Sequence, residues 1–284
     1  MPLSTSTGVY AGAVADAVEK PILISNQETG SDQMKKSQDP RLLLEIDTII
    51  KSWTTNVSVT EAKAFLSDRL QECDLNQVCH LMRLLGKKSR IKLHLSLKPH
   101  LPAIASHLES LSSSSSSSTW SFGNISSIIY GLQCFEEEDD GYLRIVSVVT
   151  KIADRSLITN GHPSSREISS IIIGLQKNKV KSSTSREFLS CLTSIVIQSK
   201  GTINGMTVGN ALYGLRCMSS DHVEVRSLLS ALEPKVRSCR ESLSAQAVGN
   251  AVYGLRCMSS DHVEVRSLLS ALEPKVRRDR KSVV

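Results

Sequence analysis

The feature that most constrains this chain is a string that it contains twice. Residues 208–237 read VGNALYGLRCMSSDHVEVRSLLSALEPKVR, and residues 248–277 repeat them with one change, valine at 252 for leucine at 212. The offset is forty residues. Degenerate copies lie upstream. Ile168 to Gln176 matches Val208 to Arg216 at the same offset, and Ile125 to Gln133 matches at a further forty-three. The second half of the unit recurs in register, with Leu228-Leu229-Ser230-Ala231-Leu232 answered by Phe188 to Leu192 and by Ile145 to Val149. A weaker unit begins at Val78, with Leu81-Met82-Arg83-Leu84 in the Leu-Tyr-Gly-Leu register. A chain built this way must bury its apolar surface by stacking one unit on the next.

Each unit reads as two helices. Val208, Ala211, Leu212 and Leu215 fall at i, i+3, i+4 and i+7 and form one apolar stripe; Val225, Leu228, Leu229, Leu232 and Val236 form another. Ser164 and Glu167 make a capping box, and Asn204 and Ser244 stand at the equivalent N-cap positions. Asp221, Glu224, Asp261 and Glu264 place acids where the second helix begins. Cys217 to Ser220 is the connecting turn, and Pro234 and Pro274 are expected to end or kink the second helix. Glycine costs a helix roughly 1 kcal/mol relative to alanine. Its return at 131, 174, 214 and 254 therefore predicts close approach by a neighbouring helix. The expected fold is all-α, an α-solenoid of two-helix repeats of about 40 residues.

The repeats are expected at about 121–160, 164–200, 204–240 and 244–277. Ahead of them, residues 41–111 read as a degenerate helical region. It contains a helix over 42–53, a second from the capping box Ser58-Val59-Thr60-Glu61 to about Glu72, and a pair at Leu75–Gly86 and Pro102–Leu111. Residues 112–120 are a serine-rich linker, and residues 1–40 a flexible tail without a secretory or clear transit signal. Glu136 to Asp140 is expected to be a solvated acidic loop. Residues 278–284 make a short basic tail and no polar capping unit is visible after the last repeat, which leaves two expectations: a natural protein that runs longer, or association through that end.

Chemistry-bearing motifs are not found. There is no phosphate-binding glycine loop, nucleophile elbow or H-E-x-x-H, so no enzymatic activity, catalytic residue or cofactor is expected. Seven cysteines in wide spacing, with no C-x-x-C, read as reduced thiols rather than a disulfide framework or metal site. No run approaches a membrane span, and aromatic residues are 4% of the chain.

Charge is the remaining signal. The chain carries a net charge of +6. Between Leu75 and Leu108 there is no acid, while Arg83, Lys87, Lys88, Arg90, Lys92 and Lys98 are basic, a patch that suits a phosphate backbone. On the helical wheel Asn210, Tyr213 and Cys217 lie off the main apolar stripe; Asn210 and Arg216 are the better candidates for touching a ligand.

The run Gly209 to Leu215 resembles the first helix of octotricopeptide-type repeats, the paired-helix repeats of organellar proteins that often end in a RAP domain. Asn210 to Leu215 and Asn250 to Leu255 line up with that family's N-L-L-W-A-L-like helix, with tyrosine for tryptophan and glycine for alanine. Ser127 to Leu132 and Ser170 to Leu175 keep the apolar pattern and lose the asparagine. The resemblance covers roughly residues 121–277, and no RAP domain is visible. It implies a non-catalytic factor binding single-stranded RNA in a chloroplast or mitochondrion, with one or two side chains per repeat addressing a base. By position the contacts would be Asn210, Arg216, Asn250 and Arg256, with Lys87, Lys88 and Arg90 on the basic patch. The alternative is a protein-binding scaffold of the armadillo or HEAT sort. RNA binding predicts a continuous basic stripe from the Lys87 region across Arg216 and Arg256; a scaffold predicts a mixed or apolar groove.

Overall fold

The computed structural model describes residues 63–87, 97–114, 120–159 and 162–277, together with Arg41, Leu44 and Thr48. The expected tails at 1–40 and 278–284, most of the helix over 42–53 and the capping box at 58–61 lie outside the described residues. So do Lys88, Arg90 and Lys92.

From Leu75 onward ten α-helices follow one another: α1 (Leu75–Lys87), α2 (Leu101–Ser114), α3 (Phe122–Gly131), α4 (Tyr142–Thr159), α5 (Ser165–Gly174), α6 (Ser183–Gln198), α7 (Gly205–Gly214), α8 (Val223–Ser238), α9 (Ala245–Gly254) and α10 (Val263–Arg277). Odd-numbered helices stack on odd, α1 on α3, α3 on α5, α5 on α7 and α7 on α9. Even-numbered helices do the same from α2 to α10. The result is a layer of first helices against a layer of second helices, the arrangement of an all-α repeat stack. The pair at 75–114 belongs to it as a full member, and the serine tract is helical through Ser114.

Local chemistry starts the first helices where the sequence places the caps. Ser121 with Asn124 and Ser164 with Glu167 form complete capping boxes, while Asn204 and Ser244 accept from the backbone N–H three residues on. Asp74 and Gln77 exchange the same pair of bonds ahead of α1, at 2.9 and 2.7 Å. Pro234 and Pro274 lie inside α8 and α10, which run on past them; they do not end the helices. One continuous apolar core joins every repeat, from Phe65 to Leu272.

The repeated glycines sit where first helices touch. A Cβ on Gly174 would lie 2.0 Å from the Ile129 carbonyl oxygen, on Gly214 2.3 Å from that of Ile172, and on Gly254 1.9 Å from that of Leu212. Each contact falls two residues before the preceding unit's own glycine. A Cβ on Gly131 would lie 2.6 Å from the Met82 carbonyl oxygen, which aligns Met82 with Leu212 and shifts the earliest unit by one residue from the register read in the sequence.

The acidic loop after α3 is solvated only in part: Glu136, Glu138 and Asp140 are exposed. Glu137 and Asp139 are buried. Glu137 accepts from the backbone N–H groups of Lys181 and Ser182 at 3.1 and 2.7 Å, just ahead of α6. Burial pushes its carboxyl up, but hydrogen bonds from the Ser182 and Ser185 side chains, together with those two backbone bonds, outweigh it and hold the group below the usual carboxylate range. Asp139 pairs with Lys98, and Glu138 with Lys181 at 2.5 Å.

Candidate nucleic-acid interface

The first helices turn one face away from the second layer. His80, Ser127, Ser170, Asn210 and Asn250 share one repeat position, and Arg83, Tyr130, Ile173, Tyr213 and Tyr253 another; Lys87 and Arg166 stand at other positions, aligned with Cys217 and Met206 of the later repeat. Charge is divided between the layers. Within the first helices the basic side chains are Arg83, Lys87 and Arg166, and the acid is Glu167, whose carboxylate is held in its capping box. The second helices mix both signs, as in Glu224, Arg226, Glu233 and Lys235 of α8.

A hydrogen-bonded ladder runs along the carboxyl ends of the first helices, through one repeat position. Gln133 Nε2 donates to the Gly86 carbonyl at 2.7 Å, Gln176 Nε2 donates to the Gln133 carbonyl at 2.8 Å, and Arg216 Nη1 donates to Gln176 Oε1 at 2.5 Å. Arg256 holds the last place. The two arginines also lie over tyrosines one turn back, 4.4 Å from the Tyr213 centroid and 4.2 Å from that of Tyr253. The tyrosine rings stack on each other, with centroids 5.8 Å apart and planes inclined by 24°. Guanidinium–aromatic pairs of this sort order the arginine while leaving edge N–H groups for other acceptors.

The residues singled out from sequence fall into three groups. Arg256 is exposed and Arg216 half-buried, and the Tyr213–Tyr253 stack brings them to one edge. Asn210 is buried, because α9 packs across it; Asn250, in the last repeat, is half-buried. Lys87 is exposed at the end of α1, at the far end of the ladder from the two arginines. Lys98 is drawn off to Asp139, where the hydrogen bond to that carboxylate pushes its ammonium up. The expected basic stripe is interrupted midway: Lys177 lies 3.8 Å from Glu136, and Lys181 faces Glu138. Sequence reasoning missed the Gln133–Gln176 ladder. Its signal was the Gln, Gln, Arg, Arg recurrence after each Gly-Leu.

Among the described residues no group of three or more His, Cys, Asp or Glu side chains is placed to hold a metal ion. Cys79 is buried; its Sγ lies 3.7 Å from the Asn124 carbonyl, and burial pushes the thiol up to about 12. No described helix is long and apolar enough to cross a membrane. The chain matches no protein-family model, no curated protein and no solved structure.

Proposed function

We propose that this chain is a non-catalytic RNA-binding helical-repeat factor, of the octotricopeptide-like kind its first-helix motif resembles, acting on single-stranded RNA in an organelle. The observation that carries the reading is the division of charge between the two layers. Within the first helices the basic side chains are Arg83, Lys87 and Arg166 and the one acid, Glu167, is tied into a cap, while Arg216 and Arg256 follow just past the ends of α7 and α9. Opposing acids would repel phosphate; their removal from one face and retention on the other favours a polyanion. Tyr213 and Tyr253 add aromatic surface beside the two arginines. The break at Glu136 divides the cations into two ends, so contact with a strand would be concentrated at Arg83–Lys87 and at Arg216–Arg256.

The test is binding of the purified chain to random single-stranded RNA over a salt series, with duplex DNA as competitor. Binding should fall as salt rises, with a log–log slope that loses about 0.7 for each phosphate contact removed. Arg216→Ala with Arg256→Ala should weaken binding and flatten the slope by roughly 1.4. Absence of binding at low salt removes the reading and leaves the protein-binding scaffold in its place.

A further inference from the structure

The ladder at the carboxyl ends of the first helices has a direction, and it ends on one of the two arginines. At one end the Gly86 backbone carbonyl can only accept; at the other the Arg216 guanidinium can only donate. The amide of Gln176 lies between a donor and an acceptor, so its orientation is fixed. Its Nε2 donates to the Gln133 carbonyl at 2.8 Å, with a second contact to Gln133 Oε1 at 3.3 Å, and its Oε1 accepts from Arg216 Nη1 at 2.5 Å. Gln133 and Gln176 are both buried, where a side-chain amide keeps the partners it has. Arg216 is thereby held from two sides. Gln176 takes one of its five N–H groups, and its Cζ lies 4.4 Å from the Tyr213 centroid. Among the described residues no carboxylate pairs with the remaining four. Arg256 stands differently. A guanidinium has no acceptor to offer the next rung, and the Arg216 carbonyl, counterpart of the Gln133 carbonyl, is taken by Cys257 Sγ at 3.3 Å. Arg256 keeps its tyrosine and has no glutamine behind it.

We infer that, within the RNA-binding reading on which this rests, Gln176 is a positioning residue: through Oε1 it holds the Arg216 guanidinium over Tyr213, with the free N–H edge ready for a phosphate of the strand. Gln176 itself does not touch the ligand. A mobile arginine loses rotational freedom when it grips a phosphate; one already fixed loses less, and the difference appears as affinity. The charge is the same either way, so fixation changes affinity without changing the number of counterions released. That separates Gln176 from the cations, whose removal changes both. Its effect is also confined to one arginine, because the chain of donors and acceptors stops at Arg216. With α7 packed between α5 and α9, the pair belongs to the interior of the stack.

RNA binding by the full chain over a salt series tests this through a double-mutant cycle. Gln176→Leu should weaken binding roughly three- to tenfold and leave the log–log salt slope unchanged. In an Arg216→Ala chain the same substitution should cost less than about twofold, and in an Arg256→Ala chain its full effect should remain. Gln176→Glu keeps the side-chain length and turns the acceptor into a carboxylate. By neutralising Arg216 it should weaken binding and flatten the slope by about 0.7, a readout that stands even where the leucine variant folds poorly. Gln133→Leu removes a buried rung of the same kind but leaves the backbone carbonyl that orients Gln176. Urea unfolding should show a comparable loss of stability for it, with less than about a twofold change in affinity. Equal losses of affinity from Gln133→Leu and Gln176→Leu, or a Gln176→Leu effect of one size with and without Arg216, would make the ladder a structural tie alone and overturn the inference. A wild-type chain that binds no RNA at low salt overturns the RNA reading itself, and the inference falls with it.

Discussion

At the scale of the residue, two glycines at one repeat position have opposite surroundings. Gly209 lies under Ala247, and Gly249 faces open space. Gly249→Ala should therefore raise stability by up to about 1 kcal/mol, the ordinary helical gain. Gly209→Ala should lower it by about 1–3 kcal/mol, because the methyl group must push two backbones apart. Urea unfolding of the two variants at low micromolar concentration measures both. The four glycines at 131, 174, 214 and 254 were legible in the sequence, since recurrence against helix propensity has few physical causes. The fate of Asn210 was not. Asn210 and Asn250 share a place on the helical wheel and a local sequence, and only the packing of α9 over one of them makes them differ. A wheel sees one helix; exposure in a stack is decided by the next.

At the scale of the element, second helices and loops are tied across repeats by ionic side chains acting on backbone. Lys275 is buried and its Nζ donates to the carbonyl of Arg237 at 3.0 Å and to that of Cys239, closing the end of α8 from the neighbouring helix. Lys235 does the same for Ser199 beyond α6. Lys275→Met keeps the apolar stem and should cost about 2 kcal/mol in thermal or urea unfolding, since hydrogen bonds to a charged group are worth about 1.5–3 kcal/mol. Glu137 acts at the other terminus of a second helix, where the N–H groups ahead of α6 need an acceptor. Its carboxyl is held below its ordinary value near 4.3, so its contribution is full above that value and is lost as pH falls from there through the depressed native value. Glu137→Gln should weaken the protein by about 1 kcal/mol at neutral pH and make stability fall less steeply as pH drops below about 4.3. The caps and helix starts were readable from spacing alone. The acidic loop was misread because five adjacent acids suggest solvation, whereas α6 and Lys98, distant in sequence, supply the donors that bury two of them. Pro234 does not end α8: the helix is held by its stacked neighbours on both sides, α6 and α10, and carries on past the missing donor.

At the scale of the whole molecule, the two-layer stack followed from the forty-residue period, and its charge division did not, because assigning acids to layers requires knowing which loops fold inward. The stack makes stability a sum of units and contacts between neighbours. Removal of residues 208–247 should leave a folded protein, since the remaining copy presents Gly254 to Ile172 as Gly214 does now. Its urea m-value should fall by roughly a fifth, in keeping with the surface lost. The near identity of the last two repeats has a kinetic side as well. While the chain folds, the face of α5–α6 is offered two equivalent partners, α7–α8 and α9–α10, and nothing in the contact itself tells them apart. The more distant partner leaves a forty-residue excursion to be closed, and doubling a loop costs only about 0.6 kcal/mol. A fraction of molecules should thus dock the wrong pair first, with the right one extruded between them. Refolding would then show a slow phase that measures escape from this decoy, and the shortened chain, which has no second choice, would fold without it.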